Sequence, residues 1–192
     1  MTKTTKNFLL LGGMLLLIGV SSFLAWKFSA QDILSFFGEE HAYTILFLSA
    51  LLGGTSLFIP FPYYLLTFSF GALGISPLFL GLCAGAGTFL GDSFAYFLAK
   101  KGRILTSSRM QIFFSKMGKT FIQKYPKLVP LGAFVYASVI PLPDDLIIVP
   151  AGLMKYPFWR IMPSLFLGKV LFNVILALAG WYGWEFFAQR MT

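Results

Sequence analysis

The sequence predicts an all-α polytopic membrane protein. It reads as an inverted repeat of two re-entrant helical hairpins, each followed by a transmembrane helix, with one further transmembrane helix at the N-terminus. Three observations predict this. First, 57% of the 192 residues are hydrophobic and 11% charged, whereas soluble domains carry about 25% charged residues. Second, Ile140-Pro141-Leu142-Pro143-Asp144-Asp145-Leu146 interrupts an apolar stretch. The prolines remove backbone donors and break the helix. A carboxylate at mid-helix costs roughly 2.5–3.5 kcal/mol to insert. Broken backbone and charge persist at membrane depth only where they are buried in protein or line a watery cavity. Third, the pattern has an earlier copy, Ile59-Pro60-Phe61-Pro62-Tyr63-Tyr64-Leu65, at an offset of 81 (140 minus 59). Without gaps, that offset also pairs Gly71 with Gly152, Gly87 with Gly168, Leu90 with Leu171, Gly102 with Gly183 and Asp92 with Asn173. Glycines and prolines fix backbone geometry, so they are the residues an old duplication retains. Interrupted segments at matching places in two halves point to a transporter's central site.

Phe8 to Trp26 is apolar behind Lys3 and Lys6, long enough for one span at about 1.5 Å per residue. It is long for a signal peptide and no Ala-x-Ala site follows it, so a retained first helix with a cytoplasmic N-terminus is expected. From Gln31 to His41, Ile33, Leu34, Phe36 and Phe37 fit one face of an outer interfacial helix. His41, the single histidine, is either a loop residue or a pH sensor beside Glu39 and Glu40. Tyr43 to Leu57 is short for a span of about 20 residues. It suits one arm of a hairpin that returns from Tyr63 to about Leu73. Pro77 to Lys100 is a full span whose glycines, Gly81, Gly85, Gly87 and Gly91, admit close helix packing.

The net charge is +8, and eight of the fifteen Lys and Arg residues fall between Lys100 and Lys127. In a membrane protein such a loop reports cytoplasmic orientation and contact with anionic headgroups, not nucleic acid. Ile112, Phe113, Phe114, Met117, Phe121 and Ile122 recur there at helical spacing, as in an amphipathic helix on the membrane face. Leu128 to Val139 is the first arm of the second hairpin, and Asp144 and Asp145 open its return arm. The last span begins at Ile161, runs outward to Gly180, and ends in a belt of Trp181, Tyr182 and Trp184. Lys155 and Arg160 fall on the cytoplasmic side, so the two hairpins enter from opposite sides.

The candidate site residues are the polar groups at depth. Lys169 needs a partner, which Asp144 or Asp145 would supply. Asp144 and Asp145 are either transport residues or acidic caps on a half-helix. Asp92 either lies on an ion path or makes a structural hydrogen bond. Pro60, Pro62, Pro141 and Pro143 are the hairpin breakers, and Lys155 and Arg160 are headgroup contacts. Cys83, the single cysteine, sits among small residues as a packing residue. One His and one Cys do not make a zinc or haem site, so no metal and no cofactor is expected. Lys100-Lys101-Gly102-Arg103 lacks the glycine-rich cradle of a P-loop. Without a nucleophile paired to a base, an enzyme is not expected.

The run Gly87, Gly91, Asp92, Ser93, Ala95, Tyr96 and then Lys100-Lys101-Gly102-Arg103 resembles the signature of the DedA family, also called the VTT or SNARE-associated Golgi protein family. Ile140-Pro141, Ala151-Gly152-Leu153, Tyr156-Pro157-Phe158 and Gly168 are similar to its second block. The resemblance spans Tyr43 to Gly183. It implies two inverted repeats and lipid movement between leaflets: polyprenyl phosphate carriers in bacterial members, phospholipid scrambling in eukaryotic relatives, and dependence on the proton gradient in some. Typical bacterial members carry acidic residues by the first hairpin and arginines around the second. This chain has Tyr63 and Tyr64 in the first and Asp144 and Asp145 in the second, so those roles are not carried over.

The expected organisation is an N-terminal unit at 1–42, a VTT-like membrane domain at 43–186, and a tail at 187–192. The domain divides into repeat 1 (43–102), the basic connection (100–127) and repeat 2 (128–186). The function expected is a lipid transporter or scramblase of the cell membrane, coupled to protons through Asp92, Asp144, Asp145, Lys169 and Asn173. Its partners would be membrane lipids and protons, and its small-residue faces permit a homodimer. A small-ion or proton antiporter and a scaffold protein are the alternatives.

Overall fold

A computed structural model describes residues 41–55, 63–102, 112, 116, 122, 124–140 and 144–191; for 55 and 184–191 the backbone alone is described. The expected first helix, most of the outer interfacial helix, nearly all of the amphipathic connection, and Pro60, Pro62, Pro141 and Pro143 lie outside the described residues. The helices given whole among the described residues are, in order, α1 (Ala42–Thr55), α2 (Tyr63–Ala72), α3 (Pro77–Lys100), α4 (Val129–Val139), α5 (Asp145–Leu153) and α6 (Phe158–Met191). The described residues hold no strand.

Two of these helices are long and apolar enough to cross a membrane, α3 and the Phe158–Gly183 part of α6. α3 starts with Pro77, whose missing donor costs nothing in a first helical turn. It ends where Lys101 and Gly102 close the last turn and Gly102 takes φ 65°. α6 runs past Gly180, through the aromatic belt and the stretch expected as a tail, to Met191. α1 has 14 residues and α2 has 10, about 21 and 15 Å of helix. Neither reaches across a core of about 30 Å.

α6 is patterned from the outside in. Ile161, Leu165, Lys169, Asn173 and Ala177 recur every fourth residue and are all buried, because residues four apart share a helix face. Leu167, Leu171 and Ile175 occupy the opposite, exposed stripe. The inner stripe thus carries the polar groups and the outer one is aliphatic, as a lipid-facing helix requires. α3 follows the same rule. Leu80, Ala84, Thr88 and Asp92 are buried, while Leu78, Phe79, Leu82, Leu90, Phe94 and Phe97 are exposed.

Contacts fix how the elements run. α1 lies parallel to α3: Tyr43 meets Phe79, and Gly54 faces Thr88 and Gly91 further along. α3 and α6 are antiparallel, since Gly81 abuts Val174 and Phe89 abuts Phe158 and Phe166. α2 runs with α6, from Tyr64 against Phe172 to Gly71 against Ala177. α2 therefore runs opposite to α1.

Two pairs of glycines at the 81-residue offset occupy matching crossings. At Gly87 a Cβ would collide with Phe47 O and lie 3.0 Å from Ala50 Cβ and 2.9 Å from Leu51 N. At Gly168 it would lie 2.7 Å from Phe134 O, 2.8 Å from Ala137 Cβ and 3.2 Å from Ser138 N. Each glycine admits a carbonyl, the Ala three residues on, and the next amide of the arm before it. The other pair crosses over. Gly71 of α2 abuts the Ala177 carbonyl of α6, and Gly152 of α5 abuts the Tyr96 carbonyl of α3. Ala177 and Tyr96 are themselves 81 positions apart. Each short second arm thus packs on the long helix of the other half.

Candidate functional site

The starts of α2 and α5 meet the inner stripes of α3 and α6. Tyr63 and Tyr64 open α2, Asp144 and Asp145 open α5, Lys169 and Asn173 come from α6, and Asp92 comes from α3. Lys169 lies about 17 Å along α6 from Phe158, and Asp92 about 12 Å along α3 from Lys100. Both positions lie well inside the two helices that are long and apolar enough to cross a membrane.

The Lys169 ammonium donates to Asp144 Oδ2 at 2.6 Å and to the Tyr64 hydroxyl at 2.8 Å. Its distance of 5.5 Å from the centre of the Tyr64 ring places it beyond the hydroxyl, close to the ring plane and not over the face. Lys169 is 3% exposed and Asp144 7%, so the pair is held out of water. A pair so buried survives because its partners also supply hydrogen bonds. The second oxygen, Asp144 Oδ1, is buried and has no hydrogen-bond partner. Asp144 stands at the N-cap position of α5, yet its side chain caps nothing; its backbone carbonyl accepts from Ile147 and Ile148. The cap reading therefore does not describe Asp144, whose carboxylate is turned to Lys169.

One turn along α6, Asn173 donates from Nδ2 to the Lys169 carbonyl at 2.9 Å. Its Oδ1 accepts from the Thr67 hydroxyl of α2 at 3.2 Å. Asp92 is 4% exposed, and Asp144, Lys169 and Asp145 act on it electrostatically. Asp145 is likewise within reach of Asp144 and Lys169. Tyr136 of α4 feels the same groups. Five expected site residues are thus gathered: Asp92, Asp144, Asp145, Lys169 and Asn173. Arg160 and Lys155 are not among them. Both are exposed near the start of α6, where Lys155 takes φ 52° in the turn after α5.

Tyr63, Tyr64, Thr67 and Tyr136 were not expected at the site. Their signal is present in the sequence: Tyr63 and Tyr64 hold the places that Asp144 and Asp145 hold in the second copy. Thr67 lies one turn after Tyr63, to whose carbonyl its hydroxyl also points at 3.0 Å.

The motif residues meet in space as well. The Tyr96 hydroxyl donates to the Tyr156 carbonyl, and the Tyr156 hydroxyl donates to the Pro126 carbonyl at 2.8 Å. Phe158 packs against Tyr96 and stacks on Phe97. Compared with protein families, the chain matches the VTT domain over residues 59–182. This chain belongs to the VTT domain family. That domain is the one shared by the DedA and SNARE-associated Golgi proteins, and its match takes in every residue of the buried cluster. Membership and the two long apolar helices make this VTT-domain protein a membrane protein. Neither the curated proteins nor the solved structures returned a match.

Proposed function

We propose that this VTT-domain protein is a transporter or scramblase that moves a lipid between the two leaflets. The substrate classes are a polyprenyl phosphate carrier and a phospholipid. The observation that carries the reading is the buried Lys169–Asp144 pair, shared with Tyr64 across three helices. Charge at that depth is costly and is retained where a polar path is needed. The short arms α1, α2, α4 and α5 are read as two re-entrant hairpins, entering from opposite faces. The exchanged contacts of Gly71 and Gly152 support an inverted repeat. A headgroup would slide along Asp144, Asp145, Lys169, Asp92 and Asn173 while its tails stay in lipid. Lys155 and Arg160 are exposed where a headgroup would first be met. Proton coupling would use a carboxylate of the cluster. The cell membrane is the proposed location, with the N-terminus cytoplasmic and no enzymatic step; a homodimer is compatible with the small-residue faces.

The test is leaflet-to-leaflet movement in proteoliposomes, with and without a pH gradient. Wild type is compared with Asp144→Asn plus Asp145→Asn. Loss of movement in folded double mutant is expected. Movement at the wild-type rate would remove these carboxylates from the path. One observation favours a second reading, a small-ion or proton antiporter: the cluster holds more carboxylates than cations. That reading requires ion flux in vesicles where no lipid moves.

A further inference from the structure

The turns that follow the two short second arms are built alike. Lys155 N donates to the Gly152 carbonyl and Tyr156 N to the Ala151 carbonyl. In the first half, Gly74 N donates to the Gly71 carbonyl and Ile75 N to the Phe70 carbonyl. Gly74 and Lys155 lie 81 positions apart (155 minus 74) and take φ 84° and 52°. These are the paired bonds of a Schellman turn, whose left-handed residue is usually glycine. The side chains around the two turns differ. In the second half the Tyr96 hydroxyl donates to the Tyr156 carbonyl, and the Tyr156 hydroxyl donates to the Pro126 carbonyl. That chain of bonds ties α3, the α5–α6 turn and the segment before α4 together. In the first half the corresponding places belong to Ile75 (156 minus 81) and Ala177 (96 plus 81), which have no hydroxyl to donate.

The bonded tyrosines also stand on the way to the cluster. Tyr96 lies four residues after Asp92 on the inner stripe of α3, about 6 Å nearer its basic end. Ile148 and Ala151 lie along α5 between Asp144 and the turn, and Ile161 and Leu165 lie along α6 between the turn and Lys169. With Tyr96 and Tyr156 these four are buried in one apolar plug. On its far side are the exposed Lys100, Lys155 and Arg160. The plug separates the Asp144–Lys169 pair from the basic end. Its hydroxyls are satisfied only while the turn stays seated, since a buried tyrosine needs a hydrogen-bond partner.

We infer that Tyr96 and Tyr156 form a latch that keeps the route from the basic end to the cluster shut, and that release of the α5–α6 turn opens it. Among the described residues the matching turn at the opposite end has no such latch, so the two ends are gated unequally. This rests on the reading of the cluster as a transport path and adds how one end of that path is closed.

Two measurements on the full chain test the latch. In the first, Asp145→Cys in a Cys83→Ala background places a thiol on the first turn of α5. A membrane-impermeant maleimide is applied to each face of vesicles, the basic face being the one that labels Lys155→Cys. Tyr96→Phe and Tyr156→Phe each remove one hydroxyl and keep the ring. Each should speed labelling of position 145 from the basic face about tenfold, the worth of one buried hydrogen bond, and leave labelling from the other face unchanged. Lys155→Gly keeps both hydroxyls and should label as the wild-type turn does. In the second, amide hydrogen exchange needs no cysteine. Residues 145–156 should exchange about tenfold faster in both Phe variants, with residues 63–75 at the wild-type rate. Unchanged labelling and exchange would overturn the inference. So would an equal rise at both faces or in both arms, which is general loosening, or a rise as large in Lys155→Gly, which puts the gate in the backbone. Faster labelling in the Phe variants of a protein that moves no lipid keeps the latch and discards lipid transport. Lipid movement by wild type with no change of labelling in the Phe variants discards the latch and keeps transport.

Discussion

Lys169 and Tyr64 lie 105 positions apart in the chain and meet in a 2.8 Å hydrogen bond. The bond ties the first turn of α2 to the middle of α6, and the Lys169–Asp144 pair ties both to α5. The two half-sequences are joined at their most polar point. What happens when each member is removed is therefore informative.

Tyr64→Phe keeps the ring against Phe172 but removes the acceptor. The loss is expected to be about 1–2 kcal/mol, between the value for a bond to a charged group in water and the smaller values found between membrane helices. Unfolding in detergent, with Tyr64→Phe and Lys169→Met in a double-mutant cycle, measures it. A coupling near zero would mean the hydroxyl contributes nothing to holding Lys169.

Lys169→Met strands the Asp144 carboxylate. Breaking one side of a buried pair costs about 3–5 kcal/mol, because an uncompensated charge remains. Adding Asp144→Asn to Lys169→Met should recover most of that loss. Equilibrium unfolding of the three variants decides the matter: additive costs would argue against a coupled pair.

Gly152→Ala should destabilise by about 1–3 kcal/mol, because its new methyl meets the Tyr96 carbonyl at 2.7 Å and the Ala99 methyl at 2.5 Å. Gly183→Ala is the control. Nothing lies within 4 Å of its added methyl, so the better helix former should gain up to about 1 kcal/mol. Thermal unfolding in matched detergent compares them; equal losses would show that crossing geometry is not the cause.

Lys155→Cys and Arg160→Cys, each in a Cys83→Ala background, report orientation. Both positions are exposed. A membrane-impermeant maleimide should label them in inside-out vesicles and not in intact cells. Labelling in intact cells would reverse the proposed topology.

Much of this architecture was legible in the sequence. Pro77 and the basic run from Lys100 marked the Pro77–Lys100 span at its two ends, because helix starts and interfacial charge act locally. The partner of Lys169 was legible too, since an intramembrane ammonium calls for a carboxylate. Tyr64 was not, because a tyrosine in an apolar arm carries no charge to demand a partner. The 81-residue offset was the signal that could have raised it. Asn173 was placed by the same offset, but its bond to Thr67 depends on α2 lying along α6, a tertiary fact. Arg160 and Lys155 show the converse: charge near the site in sequence, exposed at the helix start in space.

The crossed seating of the short arms has a consequence for how the protein is made. The inward face of α2, with Tyr63, Thr67 and Gly71, is covered by a helix synthesised roughly a hundred residues later. At about 5–20 residues per second, that is about 5–20 s of waiting. During this interval Thr67 lacks Asn173 and Tyr64 lacks Lys169. The nascent first half is thus an unfinished client of the insertion machinery, and a ribosome that stops before Phe158 leaves it so. Completion of α6 is the step that gives those hydroxyls their partners.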